Sequence, residues 1–463
     1  MLIRFVISNF LSFDEETEFN MLAGSFKQHK EHVYKVGKLK VLKAAAIYGA
    51  NAAGKSNLIK AIDTLQNIVE EGGIPSDLEN KKFKLNPNNK EKPIQFEIEF
   101  SIKNKIYAYG LIINKNQIIE EWLYESGIEK EDKLIFERKS DKKRKLKISL
   151  GKKNISQKEK LLIELLEDNL VQENELVISK YEILKIKEIT IVYEYIIEHF
   201  KIVYPNDKQI HFLNFLIKRF PNYLENLIKS FDLGIENFDI QKEDAITFFK
   251  NIYDLDYLEK IFKNESSALI IHNEIPYHLV KNDEKIYVEK SIINHLANNI
   301  KIGFDLGEES MGTQRIIDFL PFIVMLKMSE DIVILIDEID QSIHVNLLYE
   351  LVEKIMSLTD TKGQLIFTTH ESNLLDLKIF RQDEIWFAEK DRQKGSTQLY
   401  SLSEFNPRYD LDIRKGYLQG RFGAIPFLAD LEKLDWSNLE IKQENQEEDK
   451  EEDKEKNKAQ KND

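Results

Sequence analysis

An α/β fold on a mixed, mainly parallel sheet, carrying an antiparallel β lobe and an inserted helical subdomain, is expected from three features of the chain. An apolar run over 41–48 stops at Gly49 and gives way to helical spacing at Leu58, Ile59, Ile62, Leu65 and Val69. From Glu308 onward helix and strand patterns alternate (314–328, 332–336, 345–356, 364–368), as they do where parallel strands are covered on both faces. Between 94 and 125, short runs rich in β-branched and aromatic residues are separated by polar Lys/Asn turns, the pattern of an antiparallel meander.

Each element follows from local pattern. Residues 2–7 read as a strand, and 16–19 as its antiparallel partner. Helical patterning dominates 158–231, punctuated by Pro205 and Pro221, and strand-like pieces return at 268–271, 277–280 and 285–288. The expected organisation is an N-terminal lobe (1–150), a helical insertion (151–265), a C-terminal lobe (266–436) and a charged tail (437–463). The two lobes are expected to share one sheet. Residues 441–463 carry no aromatic side chain and too little apolar area to fold, so they are expected to be disordered.

Bulk composition narrows the function. The 463 residues contain no cysteine, which excludes disulfides, thiol nucleophiles and cysteine-ligated zinc. The N-terminus lacks a charged segment followed by a long apolar one, and the longest apolar runs fall far short of a bilayer span. A soluble, cytoplasmic protein is the expectation, with no membrane partner. The net charge of −14 argues against a uniformly basic nucleic-acid coat.

The chemistry concentrates in four short segments. Gly49-Ala-Asn-Ala-Ala-Gly54-Lys55-Ser56 matches G-x-x-x-x-G-K-[ST] between an apolar strand and an amphipathic helix. Gly49 and Gly54 let backbone N–H groups turn onto phosphate oxygens, Lys55 reaches the β- and γ-phosphates, and Ser56 ligates Mg²⁺. Asn51 and Asn57, inside and just after the loop, are counted with the nucleotide-binding residues. The run Ile332-Val-Ile-Leu-Ile-Asp337-Glu338 sets two acids at the C-terminal edge of a buried strand, where open α/β sheets bind ligands. Asp337 is assigned to Mg²⁺ and Glu338 to the general base on an attacking water. His370, after the strand 365–368, is placed to sense the γ-phosphate or position that water. Ser310-Met-Gly312-Thr-Gln314, ahead of a helix, offers a second anion-binding N-terminus. Together these segments predict a P-loop NTPase that takes ATP and Mg²⁺.

In this order the segments resemble those of ABC-type ATPases of the chromosome-maintenance, RecF and OLD group. Ile7-Ser-Asn9-Phe10-Leu-Ser12-Phe13 resembles the group's first turn beside the nucleotide, which implies a nucleotide contact for Asn9. Ser310–Gln314 resembles a degenerate signature motif, Asp337-Glu338-Ile-Asp340 the Walker B acids with the D-loop aspartate, and His370 the switch histidine. A nearer resemblance is to RloA/AbiLii-like stand-alone ATPases of abortive infection and phage defence. It is carried by Phe96–Phe100, Tyr107–Gly110, Asp337–His344 and the run Tyr417-Leu-Gln-Gly-Arg-Phe-Gly-Ala-Ile-Pro426. It implies ATP sandwiched between two head-to-tail protomers, Ser310 and Gly312 of one facing Lys55, Ser56, Asp337 and Glu338 of the other, and a separately encoded effector such as a nuclease. No set of nuclease acids is found in the chain. Asp254/Asp256 and Asp410/Asp412 read as solvated turns.

Residues 133–160 hold twelve Lys/Arg against three acids, a local net charge of +9. Such a run either neutralises phosphates of DNA or RNA or is a solvated hairpin. Three functions stay open on these observations: an ATPase switch in a defence module, a RecF-like repair ATPase, and a slowly hydrolysing, ATP-gated scaffold.

Overall fold

The computed structural model describes residues 1–425 apart from 128–130, 141–144, 153–155, 208–209, 251, 263–266, 273–274, 283–284 and 359–360. The expected tail, 437–463, lies outside the described residues.

The central sheet has six strands in the order Phe200–Val203, Val333–Ile336, Gln364–Thr369, Ala44–Tyr48, Ile385–Lys390, Thr397–Ser401. The first five are parallel and the last is antiparallel to its neighbour. Every residue of Ala44–Tyr48, Val333–Ile336 and Gln364–Thr369 is buried, as strands covered on both faces must be. The two expected lobes therefore do contribute to one sheet. Helices Lys55–Glu71, Met311–Met328 and Val345–Ser357 connect its strands, and two apolar clusters form the core on either side. One holds Ile47, Leu58, Ile62, Val333 and Ile366, and the other Ala46, Ile316, Leu320, Ile334 and Phe367. Alternate residues of one strand thus supply opposite cores, the geometric consequence of the period of two.

A second, seven-stranded antiparallel sheet runs in the order Leu146–Leu150, Lys133–Ser140, Gln117–Ser126, Lys105–Asn114, Ile94–Ile102, Leu2–Ser8, Thr17–Asn20. The expected pairing of the first two strands is present, with Phe5 opposite Phe19. Leu2–Ser8 also forms the other edge of the meander, with Phe5 opposite Ile98. A third antiparallel sheet comprises Ile235–Asp244, Lys285–Ala297, Ile275–Asn282 and Ser267–His272, with Ile300–Asp305 alongside Lys285–Ala297.

Two expectations are corrected. The apolar run 41–48 is not one strand. Leu39–Leu42 belongs to a hairpin with Val33–Val36, and the main-sheet strand starts at Ala44. Between them the Lys43 N–H is drawn to His32 O (2.9 Å), away from either ladder. The insertion 151–265 is not helical throughout. Phe200–Val203 pairs with Val333–Ile336 at the edge of the main sheet, and Ile235–Asp244 opens the third sheet. Phe, Ile and Val at 200–203 suit a half-buried pleat, and tertiary pairing overrode the helical reading of their surroundings.

The basic stretch is largely a hairpin of the antiparallel sheet. Arg138 is fully buried and donates to the carbonyls of Glu175 (3.0 Å), Glu173 (3.1 Å) and Gln172 (3.3 Å). Lys139 pairs with Glu137 (2.7 Å) and Lys152 with Glu159 (2.5 Å). Residues 141–144, with three of the twelve cations, lie outside the described residues. Asp254 and Asp412 each cap a short helix, accepting from Tyr257 N (2.7 Å) and Lys415 N (2.8 Å).

Candidate nucleotide site

The P-loop starts where the strand Ala44–Tyr48 leaves the sheet. At Gly49 an added Cβ would lie 2.3 Å from Ala388 O on the neighbouring strand, so the backbone passes where no side chain fits. Gly54 adopts φ +103°, and a Cβ there would lie 2.0 Å from Thr397 Oγ1. Gly54 opens the helix Lys55–Glu71, whose first turn has neither a side-chain cap nor an acid. Its N–H groups and positive dipole end are thereby left to an anion.

Lys55 turns back over this loop. Its ammonium donates to Gly49 O (2.9 Å) and Ala50 O (3.1 Å) and stands 3.2 Å from His370 Nδ1. With Lys55 charged, Nδ1 must accept, so the His370 proton sits on Nε2, 3.9 Å from Glu338 Oε1. Burial lowers the Lys55 pKa to about 8, against the pull of Asp340, Glu338 and Asp337, which favours the charged form. The P-loop, the acids and the histidine, distant in sequence, thus occupy one electrostatic neighbourhood.

The acids are held by a hydroxyl. Thr368 Oγ1 donates to Asp337 Oδ1 (2.6 Å) and accepts from Glu338 N (2.8 Å), bridging the two residues from the adjacent strand. Asp337 is 4% exposed and its N–H donates to Val203 O (2.9 Å). Glu338 sits in the left-handed region at φ +49°, a conformation that costs free energy in a non-glycine residue and aims its side chain away from the strand. Both Asp340 oxygens accept from His370 N at 3.3 Å, tying the turn after the acids to the histidine. Thr368 was legible only as part of the segment before His370, and nothing in the sequence marked its hydroxyl as the bridge.

In the first turn, Asn9 is buried at φ +52°, and its amide donates to the carbonyls of Asn89 (2.9 Å), Lys92 (3.0 Å) and Pro93 (3.2 Å). Those bonds fasten the loop before the meander and leave Asn9 Oδ1 buried without a partner. Ser12 approaches the P-loop. Its Oγ accepts from Asn57 Nδ2 (2.8 Å) and lies 2.7 Å from Thr397 Oγ1, which donates to Ala53 O (2.8 Å). Asn57 therefore spends its amide on Ser12, Asn51 is exposed at the loop tip, and Ser56 is half-buried in the first helical turn.

Ser310 caps the helix Met311–Met328 by accepting from Thr313 N (3.1 Å). A Cβ at Gly312 would lie 2.9 Å from Ser342 O, so this helix start packs against the segment that follows the acids. Among the described residues no hydrogen bond joins Ser310 or Gly312 to Gly49–Ser56 of the same chain. One turn further, Arg315 is buried beside the site. It donates to Tyr204 O (3.4 Å), lies over the Phe319 ring (4.7 Å), and leaves Nε and Nη2 without partners. In the sequence Arg315 stands only as the residue after the Ser310–Gln314 segment.

No curated protein matches the chain. Among solved structures, similar ones include an SmcHead bound to the C-winged helix domain of ScpA, at 14% identity, covering 86% of this chain and 97% of that one, TM-score 0.40. The SMC head domain from Thermotoga maritima matches at 10% identity over 86% and 98% of the two chains, TM-score 0.37. The Smc head domain with an extended coiled coil, bound to the C-terminal domain of ScpA derived from Pyrococcus furiosus, matches at 13% over 91% and 98%, TM-score 0.37. All three TM-scores fall below 0.5, and the fold rests on the strand order above. The family model described as "AAA domain, putative AbiEii toxin, Type IV TA system" matches residues 44–376. That span opens on the P-loop strand and closes just beyond His370, and by it the chain belongs to this family of AAA-domain proteins.

Proposed function

We propose that the chain is an ATP-hydrolysing switch that works with a separately encoded effector in an abortive-infection or toxin–antitoxin setting. The family description and the nearer motif resemblance both support that setting. The observation that carries the catalytic reading is the 3.2 Å approach of Lys55 Nζ to His370 Nδ1, at the edge of the sheet where Asp337 and Glu338 emerge.

The donor set fits a magnesium-bound triphosphate. The loop offers a glycine cradle, an uncapped helix start and a buried ammonium, with a hydroxyl at Ser56 and a buried carboxylate at Asp337. Ser56 and Asp337 would hold magnesium, which would offset the charge of the phosphates when bound. Lys55 exchanges its carbonyl contacts for phosphate oxygens, a gain because those carbonyls are neutral. Glu338, aimed outward by its left-handed backbone, takes the proton of the attacking water. His370 holds its Nε2 proton toward that water or the transferring group.

Among the described residues Ser310 and Gly312 make no hydrogen bond to the P-loop of their own chain, which supports their acting on the nucleotide of a second protomer. ATP then joins two head-to-tail copies, and hydrolysis removes the contact they share. Glu338→Gln keeps the binding groups and loses the base. In sizing chromatography with ATP and magnesium it is expected to run as a stable dimer, with phosphate release reduced at least about 100-fold. A variant that stays monomeric with ATP bound sinks the sandwich.

A further inference from the structure

Between the first turn and the P-loop in sequence, a short turn before the hairpin Val33–Val36 and Leu39–Leu42 gathers two histidines and an acid. His29 Nδ1 lies 3.4 Å from Glu31 Oε1, His32 Nε2 lies 3.8 Å from the same oxygen, and the three ligand atoms fall within 4.8 Å of one another. We propose that His29, Glu31 and His32 bind one divalent transition ion of the zinc class, with a fourth position open to water.

The ring nitrogens that would not touch the ion carry the argument. His32 Nδ1 stands 3.0 and 3.1 Å from the two carboxylate oxygens of Glu384, which is 0% exposed, and His29 Nε2 stands 2.9 Å from Leu377 O. In a neutral ring the single proton goes to the nitrogen with the shorter contact, His29 Nε2 at 2.9 Å and His32 Nδ1 at 3.0 Å. The lone pairs of the neutral rings are then on His29 Nδ1 and His32 Nε2, the two atoms nearest Glu31. Metal-bound histidines almost always have such an outer partner, which fixes the tautomer.

Geometry and ligand type agree. Bonds of about 2.0–2.1 Å in a tetrahedral site set ligand atoms about 3.3–3.5 Å apart, so the Glu31 distances need little change. The rings are stacked, with centroids 4.8 Å apart and planes 20° from parallel, and must splay for both lone pairs to meet one ion. His29 holds φ +46°, strain for a residue with a Cβ, and this presents its ring to Glu31. Two imidazoles and one carboxylate favour zinc over magnesium or calcium. The ion would pin the 29–32 turn to residues 377–384, directly before a strand flanking the P-loop strand, as a structural tie.

Full-length protein without a histidine tag, stripped with a chelator and passed through a desalting column after zinc in excess magnesium, provides the test. One retained equivalent of zinc is expected, with a tetrahedral d–d absorption band when cobalt replaces it. Glu31→Gln and His29→Asn, both at surface-reaching positions, should keep the circular dichroism spectrum and lose at least about tenfold in zinc affinity. Wild-type protein that retains no zinc, or variants that retain as much as wild type, overturn the site.

Discussion

In the proposed switch nucleotide capture turns on Lys55, and the environment of this residue sets a pH dependence. Its folded pKa, lowered to about 8 by burial, lies below that of the unfolded chain. The native state therefore binds fewer protons than the unfolded state between about pH 8 and 10.5, and this group's unfavourable effect on stability fades as pH rises through that window. ATP binding runs the other way, since the triphosphate selects the charged ammonium. ATP affinity of the resting protein is expected to be flat below pH 8 and to fall by up to about tenfold per unit above it. Titrating a fluorescent ATP analogue at pH 7 and pH 9 checks this, with Lys55→Arg, always charged, as the variant that should not show the fall. Thr368 is a positioning residue. Thr368→Val removes the bridge between Asp337 and Glu338, and kcat is expected to drop about 10–100-fold with KM nearly unchanged. Thr368→Ser should restore most of the rate, and a valine variant as active as wild type would dismiss the bridge.

At the scale of elements, local pattern located the strands and helices that period and caps can specify. The helices at 55–71, 311–328 and 345–357 and the strands at 94–102 and 333–336 follow from apolar spacing over several turns or residues. The strand Phe200–Val203 escaped it because four residues carry too little period, and its partner lies more than a hundred residues away. The basic stretch is a different case. Counting charge treats all cations alike, whereas Arg138 points inward to cap the carbonyls of 172–175, near the buried Glu121. Arg138→Ala leaves those carbonyls and the Glu121 carboxylate without their cation. Loss of these buried hydrogen bonds from a charged donor is expected to destabilise the protein by about 2–3 kcal/mol. Urea unfolding with an unchanged midpoint would refute this role.

At the scale of the whole molecule the net charge is −14, and among the described residues of 133–160 Arg138 is buried and Lys139 and Lys152 are paired with acids. Among the described residues no helix is long and apolar enough to cross a membrane.

Residue order alone specified the phosphate loop, the two acids after an apolar strand and the histidine after the next. A glycine cradle and a strand-end carboxylate are local devices, written in consecutive residues. Folding in three dimensions brought Ser12 of the first turn against Asn57 and Thr397 beside the loop. It also placed Thr368 under the acids, turned Arg138 inward and set Glu384 behind His32. Those outcomes depend on hydrogen bonds between segments tens to hundreds of residues apart, and such pairings have no period or spacing for a sequence to display.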